Sequence, residues 1–292
     1  MRDARKFSKF IQNPARNVMK NVLLFGYGKM GSSIARGWMI KKTNFNVFII
    51  EKEPSLRKIA KDDGFKVYEN IECLKEIQNS KIFDIIFLAV KPQQMEETVK
   101  SFFKFNLVQT VFVSIAAGLS FSWFRNKINK EVKIVRAMPN LPASIGFGVT
   151  GYCKSKNLSE EEDKDVCELL SAFGKVIYLK NESLIDNVTA ISGSGPGYIF
   201  YLVETLSQIG VDYGLSLKDA KTLARETLIG TARLIESSDV DPKILKKNVT
   251  SPGGTTEAGL LILESAINGL YPLLKLTINN AIERAKELNY DG

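Results

Sequence analysis

Residues 21–40 read NVLLFGYGKMGSSIARGWMI. The run NVLLF predicts a buried strand, GYGKMG a glycine turn, and SSIARGWMI the opening of a helix. The three glycines form a G-x-G-x-x-G pattern, in which Gly26 permits the tight turn, Gly28 lets backbone amides approach a pyrophosphate and Gly31 lets the helix pack closely on the strand. The partial positive charge of the helix start favours the same anion. We predict a dinucleotide-binding unit here, with a purely structural turn as the alternative.

Strand and helix signals alternate after this unit. The predicted strands lie at 47–50, 66–68, 82–90, 110–115 and 132–138, with a helix over 55–62 and a further strand, helix and strand between 151 and 179. Strands that are apolar on both sides and separated by helices are typical of a parallel sheet covered on both faces. The first half of the chain is therefore predicted to be an α/β domain.

The pattern becomes helical after about residue 180. Helical patterns begin at Tyr198, Ser216, Pro242 and Thr255, and a last helix is predicted after Pro272. The helix from Tyr198 is apolar almost all round, which indicates burial in a multi-helix or intersubunit core. We predict three parts: a basic extension over 1–18, the α/β domain over 19–180 and an all-α domain over 181–292.

The formal charge of +8 is concentrated at the start of the chain. The first twenty residues hold six Lys or Arg and one Asp, and the rest of the chain holds 34 basic and 31 acidic residues. No basic stripe interleaved with aromatic residues is present, so nucleic-acid binding is not predicted. The segment before Met19 lacks the apolar run of a signal peptide. A mobile extension is favoured there over a transit peptide.

Histidine is absent from the sequence, and three cysteines are widely spaced. Ser-His-Asp and Cys-His catalysis and H-E-x-x-H metal sites are thereby excluded within this chain. The cysteines form no C-x-x-C pair, so we expect neither disulfides nor a metal site, and we expect a cytoplasmic protein. No apolar run reaches the roughly eighteen residues that a membrane span needs. Chemistry must rest on hydroxyls, amides, carboxylates, lysines or a bound cofactor.

Glu51 stands twenty residues beyond Gly31, at the end of the second predicted strand. A carboxylate there accepts hydrogen bonds from both adenosine ribose hydroxyls and repels a 2′-phosphate, which favours NADH. Lys52, Arg57 and Lys58 follow closely and can accommodate that phosphate, which favours NADPH. An ordinary solvated strand end is the structural alternative. The sequence therefore leaves the choice between NADH and NADPH open.

Small residues follow several later strands. LAVKP at 88–92, SIAAG at 114–118 and RAMPN at 136–140 all reach the carboxyl edge of the predicted sheet. Ligands of open α/β sheets bind at that edge, although small residues that pack beneath helices explain the pattern equally well. ISGSGPGYIF at 191–200 places glycines and serines before an apolar helix, which indicates either a hinge or the close approach of a ligand or backbone.

The segment NVTSPGGTTEAG at 248–259 precedes another apolar helix. Pro252 restricts the chain, the paired glycines leave amides unshielded, and a threonine stands in the first helical turn. Several free N–H groups converge there with the helix dipole, which predicts an anion site. A substrate carboxylate is the natural ligand, and a threonine hydroxyl can bind a second polar atom of the same molecule. A plain helix cap is the alternative.

Taken together, these runs resemble the pyrroline-5-carboxylate reductase family from about Lys20 to Leu288. The most specific of them is PKILKKNVTSPGGTTEAGLLIL at 242–263, and AVKP, SIAAG, RAMPN and SGSGP stand in the family's order. The resemblance implies an α/β Rossmann-like N-terminal domain followed by an all-α C-terminal dimerisation domain. It also implies a homodimer, often assembled as a decamer of five dimers. The segment EKEP at 51–54 departs from the family's small, hydroxyl-rich turn.

The resemblance also implies the site residues. Those implied for the cofactor, NADPH or NADH, are Gly26, Tyr27, Gly28, Lys29, Met30 and Gly31 at the pyrophosphate, Asn70 at the adenosine side, Ala89, Val90, Lys91, Pro92, Ala116, Ala117 and Gly118 at the nicotinamide side, and Asn248 across the subunit interface. Those implied for the substrate are Ser251, Gly253, Gly254 and Thr255 at its carboxylate, Thr256 at its ring nitrogen, and Glu182 elsewhere in its pocket.

The implied reaction is hydride transfer to the C=N carbon of 1-pyrroline-5-carboxylate, which yields L-proline, with Thr256 as the catalytic residue. The imine nitrogen is basic and can take its proton through Thr256 and water, so no histidine is needed. Two other functions stay open: a reductase of another small imino or keto acid, and a dinucleotide-sensing regulator. The regulator would need no threonine-bearing anion site.

Overall fold

A computed structural model describes residues 19–74, 83–102, 105 and 107–288. The predicted basic extension and the first residue of the predicted strand 82–90 lie outside these residues. Every predicted strand falls on an observed one. The strands are β1 (Lys20–Phe25), β2 (Phe45–Ile50), β3 (Lys66–Tyr68), β4 (Ile85–Leu88), β5 (Val111–Ser114), β6 (Lys133–Met138), β7 (Gly148–Lys154) and β8 (Gly174–Tyr178).

The strands form one sheet in the order β3-β2-β1-β4-β5-β6-β7-β8. From β3 across to β6 all neighbouring strands are parallel, as the apolar strand pattern predicts. The direction in which successive strands are added reverses between β1 and β4. The chain first adds β2 and β3 on one side of β1, and then crosses to the other side of β1 to form β4. Ligands of such sheets bind beyond the carboxyl ends of the strands at this switch point.

The far edge of the sheet departs from the predicted parallel arrangement. β7 runs antiparallel to β6, and β8 is parallel to β7. The connection between β6 and β7 covers residues 139–147 and contains only one turn of 3₁₀ helix, Leu141–Ile145. A parallel crossover needs about a dozen residues or more, so a connection this short returns the chain in the opposite direction.

Helices cover both faces of the sheet. They are α1 (Lys29–Ile40), α2 (Pro54–Asp62), α3 (Pro92–Lys100), α4 (Phe121–Lys127) and α5 (Glu160–Ser171). On one face, Trp38 of α1 and Leu169 of α5 pack in the core with Phe87. On the other face, Met95 of α3 and Phe124 of α4 lie in a second core. This two-sided burial explains why runs such as VLLF in β1 and IIFL in β4 are apolar on both faces.

The remainder of the described chain is helical. Its elements are α6 (Leu184–Val188), a π-helical turn (Thr189–Gly193), α7 (Gly195–Asp212), α8 (Leu217–Glu236), α9 (Pro242–Asn248), α10 (Thr255–Leu263) and α11 (Leu270–Glu287). The predicted last helix is present as α11, but it begins at Leu270, two residues before Pro272 and not after it. Pro272 lies in the first turn, where its missing N–H has no helical acceptor to lose.

The long helices keep large apolar side chains uncovered within one chain. Phe200 and Tyr201 of α7 are 60% and 69% exposed, and Leu261 and Ile262 of α10 are 70% and 72% exposed. A core within one chain therefore does not bury these helices, which leaves a core between subunits as the explanation for their apolar composition. Among the helices that the structure describes, none has the length and apolar content that a membrane span requires.

Candidate active site

The glycine turn joins β1 to α1 at the switch point. Gly26 has φ +93°, and a Cβ on Gly31 would lie 2.1 Å from the carbonyl oxygen of Gly26. Both positions therefore require glycine for the turn itself. Gly28 differs, because no atom lies within 4 Å of the position its Cβ would take. The space beside Gly28 is open at the start of α1, which has no side-chain cap.

The side chain of Tyr27 in this turn points into the core. It is 1% exposed, and its hydroxyl donates to Asp63 Oδ2 at 2.5 Å. Asp63 is also paired with the Arg36 guanidinium at 2.8 Å. Burial first, and then the hydrogen bond to Asp63, raises the pKa of Tyr27. Tyr27 therefore anchors the turn with its buried side chain.

Glu51 is turned toward the same glycine turn. Its Oε2 accepts the backbone N–H of Tyr27 at 2.6 Å, and its Oε1 accepts the backbone N–H of Glu53 at 2.8 Å. The residue is only 9% exposed. A buried carboxylate with two amide donors holds the turns after β1 and β2 together. The sequence pointed to Glu51 as a reader of the ribose, but did not reveal this bracing contact.

Positive charge gathers at the turn after β2. Arg57 Nη1 donates to the carbonyl oxygens of Glu51 at 3.0 Å and Lys52 at 2.5 Å. The guanidinium is therefore fixed in place, with Glu69 Oε2 at 3.7 Å. Lys58 is exposed nearby in the chain. Asn70, predicted at the adenosine side, follows β3 and caps the short helix Ile71–Cys73 with its Oδ1 atom, which accepts from Cys73 N at 3.1 Å.

The loops after β4 and β5 lie side by side next to the glycine turn. Ala89 N donates to Phe25 O at 2.8 Å, and Ile115 N donates to Leu88 O at 3.2 Å. A Cβ on Gly26 would meet the Ala89 carbonyl at 2.8 Å, so this loop touches the turn. The structure thus brings together the residues predicted on the nicotinamide side: Ala89, Val90, Lys91 and Pro92 at the start of α3, and Ala116, Ala117 and Gly118 before α4.

The glycine turn can hold a dinucleotide. The first amides of α1 have no intrahelical acceptor, and the open space at Gly28 leaves room for a phosphate to reach them. Lys29 is exposed at the helix start, whereas Met30 packs partly against the core. No three His, Cys, Asp or Glu side chains cluster closely enough to hold a metal ion in the described part of the chain.

Glu182 lies just before α6, and its carboxylate is engaged within the chain. Its Oε1 accepts from Arg136 Nη1 at 2.7 Å and from the backbone N–H of Phe121 at 2.7 Å. Arg136 is 5% exposed in the middle of β6. Sequence reasoning missed Arg136, although one signal was visible: it is the one charged residue inside the apolar run IVRAM.

The predicted anion-binding segment is exposed in the single chain. α10 has no side-chain cap, and none of the residues of this helix is buried. Gly253, just before the helix, has φ +71°. Two of the amides expected to be free are taken, since Gly253 N donates to Glu257 Oε2 at 2.7 Å and Gly254 N donates to Ser251 O at 3.0 Å. The amides of the first turn, at Thr255, Thr256 and Glu257, remain without helical acceptors.

These substrate-side residues are not enclosed by one subunit. Thr255, Thr256, Ser251 and Asn248 are all exposed, and Asn248 ends α9. The sheet-edge loops and the threonine turn therefore form two half-sites. A complete pocket requires something to cover the helical half, and the uncovered apolar face of α10 indicates a second protein surface.

Comparisons with known protein families match the two halves of the candidate site separately. A family model described as "Pyrroline-5-carboxylate reductase dimerisation" matches residues 182–288. A second, described as "NADP oxidoreductase coenzyme F420-dependent", matches residues 21–118. Together these matches cover the helical half and the glycine-turn half of the candidate site.

Whole-chain relatives agree with the family matches. A pyrroline-5-carboxylate reductase of Aquifex aeolicus is 34% identical over 91% of this chain and 96% of the relative. One from Pseudomonas aeruginosa is 36% identical over the same fractions. The crystal structure of the Plasmodium falciparum pyrroline carboxylate reductase with NADP bound is 29% identical, with a TM-score of 0.76 over 92% of this chain and 98% of that one.

Proposed function

This chain belongs to the pyrroline-5-carboxylate reductase family, and we propose how its residues share the NAD(P)H-dependent reduction of 1-pyrroline-5-carboxylate to L-proline. The protein is an oxidoreductase of proline biosynthesis. The observation that carries the proposal is the pairing of two half-sites in one chain: an open glycine cradle at Gly28 and an uncapped, threonine-bearing helix start at α10.

The first half-site binds the cofactor. Backbone amides at Gly28 and the start of α1 hold the pyrophosphate, while Glu51 and Tyr27 keep the turn in shape. The loops at 89–92 and 116–118 border the nicotinamide. When bound, the reduced nicotinamide supplies a hydride for the imine carbon. Arg57 and Lys58 place positive charge where an adenosine 2′-phosphate lies, which supports binding of NADPH as well as NADH.

The second half-site binds the substrate acid. Ser251, Gly253, Gly254 and Thr255 surround the position of its carboxylate, where the helix dipole favours negative charge. Glu257 accepts the Gly253 N–H at 2.7 Å, so the substrate carboxylate competes with that side chain for one amide. The charged α-carboxylate and the α10 turn together fix the orientation of the ring.

Thr256 contacts the reacting end of the substrate. Its hydroxyl hydrogen-bonds the ring nitrogen, which ends protonated as the neighbouring carbon gains a hydride. This hydrogen bond orients the C=N bond. Through it the ring nitrogen gains or keeps the one proton that it carries in the product. No strongly acidic side chain is required, because the imine nitrogen is basic and can bind already protonated.

A second copy of this chain completes the pocket. The exposed apolar residues of α7 and α10, together with the dimerisation match over 182–288, support a homodimer in which Asn248 approaches the partner's cofactor. A decamer of five dimers is the larger assembly we propose. The cytoplasm is the proposed compartment, since Cys73, Cys153 and Cys167 are all free thiols.

One assay tests the function directly. Oxidation of NADPH and of NADH is followed with 1-pyrroline-5-carboxylate, with keto acids and with other cyclic imines as alternative substrates. We expect turnover with 1-pyrroline-5-carboxylate to exceed that with every alternative, with proline as the product. Greater turnover of a keto acid, or binding of the dinucleotide without turnover, would contradict the proposal.

A further inference from the structure

Arg136 and Glu182 form a contact that neither cofactor binding nor substrate binding explains. The Arg136 guanidinium is buried in the middle of β6, and its Nη1 donates to Glu182 Oε1 at 2.7 Å. The same oxygen accepts the backbone N–H of Phe121 at 2.7 Å. One carboxylate oxygen therefore joins three separate segments of the chain.

The three segments belong to different parts of the candidate site. Phe121 is the first residue of α4 and directly follows the loop that carries Ala116, Ala117 and Gly118. Glu182 precedes α6 and is the first residue of the matched dimerisation region. Arg136 belongs to the central sheet. The carboxylate thus ties the loop that borders the nicotinamide to the helical half that carries the substrate residues.

Stability does not account for this arrangement. The Nε and Nη2 atoms of Arg136 are buried, and neither has a hydrogen-bond partner among the described residues. Each unsatisfied buried donor is destabilising, and apolar residues that replace both members of a buried ion pair often cause no loss of stability. Met138, Cys153 and Ile185 form an apolar cluster on this side of the sheet. A methionine in place of Arg136 would suit that environment better than a guanidinium does.

We infer that Glu182 is a positioning residue that fixes the nicotinamide-side loop relative to the helical half, and that Arg136 keeps its carboxylate in place. The inference rests on the proposed function and changes the role of one residue in it. Glu182, which the family resemblance places in the substrate pocket, acts through the Phe121 backbone instead of contacting the substrate. Its contribution is the distance and angle between the two reactants.

The test compares Arg136→Met, Arg136→Lys, Glu182→Gln and the double variant Arg136→Met/Glu182→Gln. Glu182→Gln retains an oxygen for the Phe121 N–H but loses the charge that attracts Arg136. We expect Arg136→Met to stay folded with a lowered melting temperature, because it leaves the Glu182 carboxylate without its cation. Its NADPH dissociation constant should lie within about twofold of wild type, while kcat falls about tenfold to a hundredfold. Arg136→Lys should recover part of that loss. The double variant should be no worse than Arg136→Met alone, because both changes break the same contact.

A readout without turnover accompanies the kinetics. Amide hydrogen exchange of residues 116–124 is measured in the cofactor complex, and Arg136→Met should raise it there while other sheet segments stay unchanged. Lys154→Met is the matched control, since Lys154 lies on the neighbouring strand β7 but forms its 2.5 Å ion pair with Asp163 on the other face of the sheet. It should alter neither kcat nor exchange at 116–124.

Two results would overturn the inference. A rise in the substrate KM of Glu182→Gln with kcat unchanged would make Glu182 a substrate ligand. Wild-type kcat and exchange in Arg136→Met would make the contact merely structural. Failure of the proposed function is separate, because it would appear as a wild-type enzyme that does not reduce 1-pyrroline-5-carboxylate.

Discussion

The Oε2 atom of Glu51 lies 2.6 Å from the backbone nitrogen of Tyr27 and accepts its N–H. The Glu51 carboxylate, just after β2, is thereby bound to the glycine turn. Arg57 donates hydrogen bonds to the backbone carbonyl oxygens of Glu51 and Lys52. The glycine turn, which we propose to bind the cofactor, is thus braced by the residue that follows β2, and that residue is in turn held by α2.

We expect Glu51→Ser to weaken binding of NADH and NADPH together. Loss of a charged acceptor for two buried amides costs about 1.5–3 kcal/mol, which is roughly a tenfold to hundredfold rise in each dissociation constant. Fluorescence titration with both cofactors measures the effect. Glu53→Ser is the control, because only the backbone of Glu53 contacts Glu51. A loss confined to NADH would show that Glu51 mainly reads the ribose.

Gly28→Ala and Gly31→Ala should separate binding from folding. Gly28 has φ −65° and open space at its Cβ position, so alanine fits the fold but occupies room that the pyrophosphate needs. We expect normal thermal stability with NADPH affinity reduced at least about tenfold, or 1.4 kcal/mol. Gly31→Ala places a methyl 2.1 Å from the Gly26 carbonyl and should destabilise the fold by about 1–3 kcal/mol. Calorimetry with cofactor titration distinguishes the two outcomes, and unchanged affinity in Gly28→Ala would argue against the cradle.

Tyr27→Phe should lower stability in a way that depends on pH. Burial raises the pKa of Asp63, but hydrogen bonds from Tyr27 and Arg36 outweigh it and hold the pKa below the ordinary value of 3.8. The stabilisation is present above the unfolded pKa and is lost as pH falls through the folded one. We expect a deficit of about 1–2 kcal/mol at neutral pH that shrinks in acid. Urea unfolding across pH measures it, with the exposed Tyr213→Phe as control. A deficit that does not change with pH would contradict the role of Asp63.

Thr256→Ala should lower kcat by about a hundredfold while NADPH affinity stays near that of wild type. The lost hydroxyl contacts the substrate nitrogen and not the cofactor. Steady-state kinetics and a cofactor titration provide the two numbers. Thr222→Ala is the matched control, because that hydroxyl bonds only within α8, to Lys218 O at 2.9 Å. Normal turnover in Thr256→Ala would remove it from the mechanism.

Ile262→Glu should dissociate the homodimer. Ile262 is 72% exposed in one chain, and a charge buried there in the dimer costs about 3 kcal/mol or more, roughly a hundredfold in the dissociation constant. Sedimentation equilibrium measures the change, and activity should fall with the dimer fraction. Ile40→Glu is the control, since Ile40 is 75% exposed on the sheet domain. An intact, active Ile262→Glu dimer would place the interface elsewhere.

Much of the fold follows from local patterns in the chain. Strands buried on both faces are mostly apolar, so the parallel core from β1 to β6 is visible as runs such as NVLLF and IIFL. The glycine turn can also be predicted from the sequence, because Gly26 and Gly31 occupy positions where a side chain would collide with the backbone. The reversal at β7 was missed, because it depends on a connection too short to cross the sheet.

Contacts between residues that are far apart in the sequence could not be predicted from local patterns. The sequence by itself determined the sheet-and-helix order, the glycine cradle and the threonine-bearing helix start, because each depends on residues a few positions apart. Only the tertiary structure decided that Glu51 holds Tyr27 and that Arg136 reaches Glu182. Those partners are chosen by side-chain direction and burial, which arise only when the elements pack.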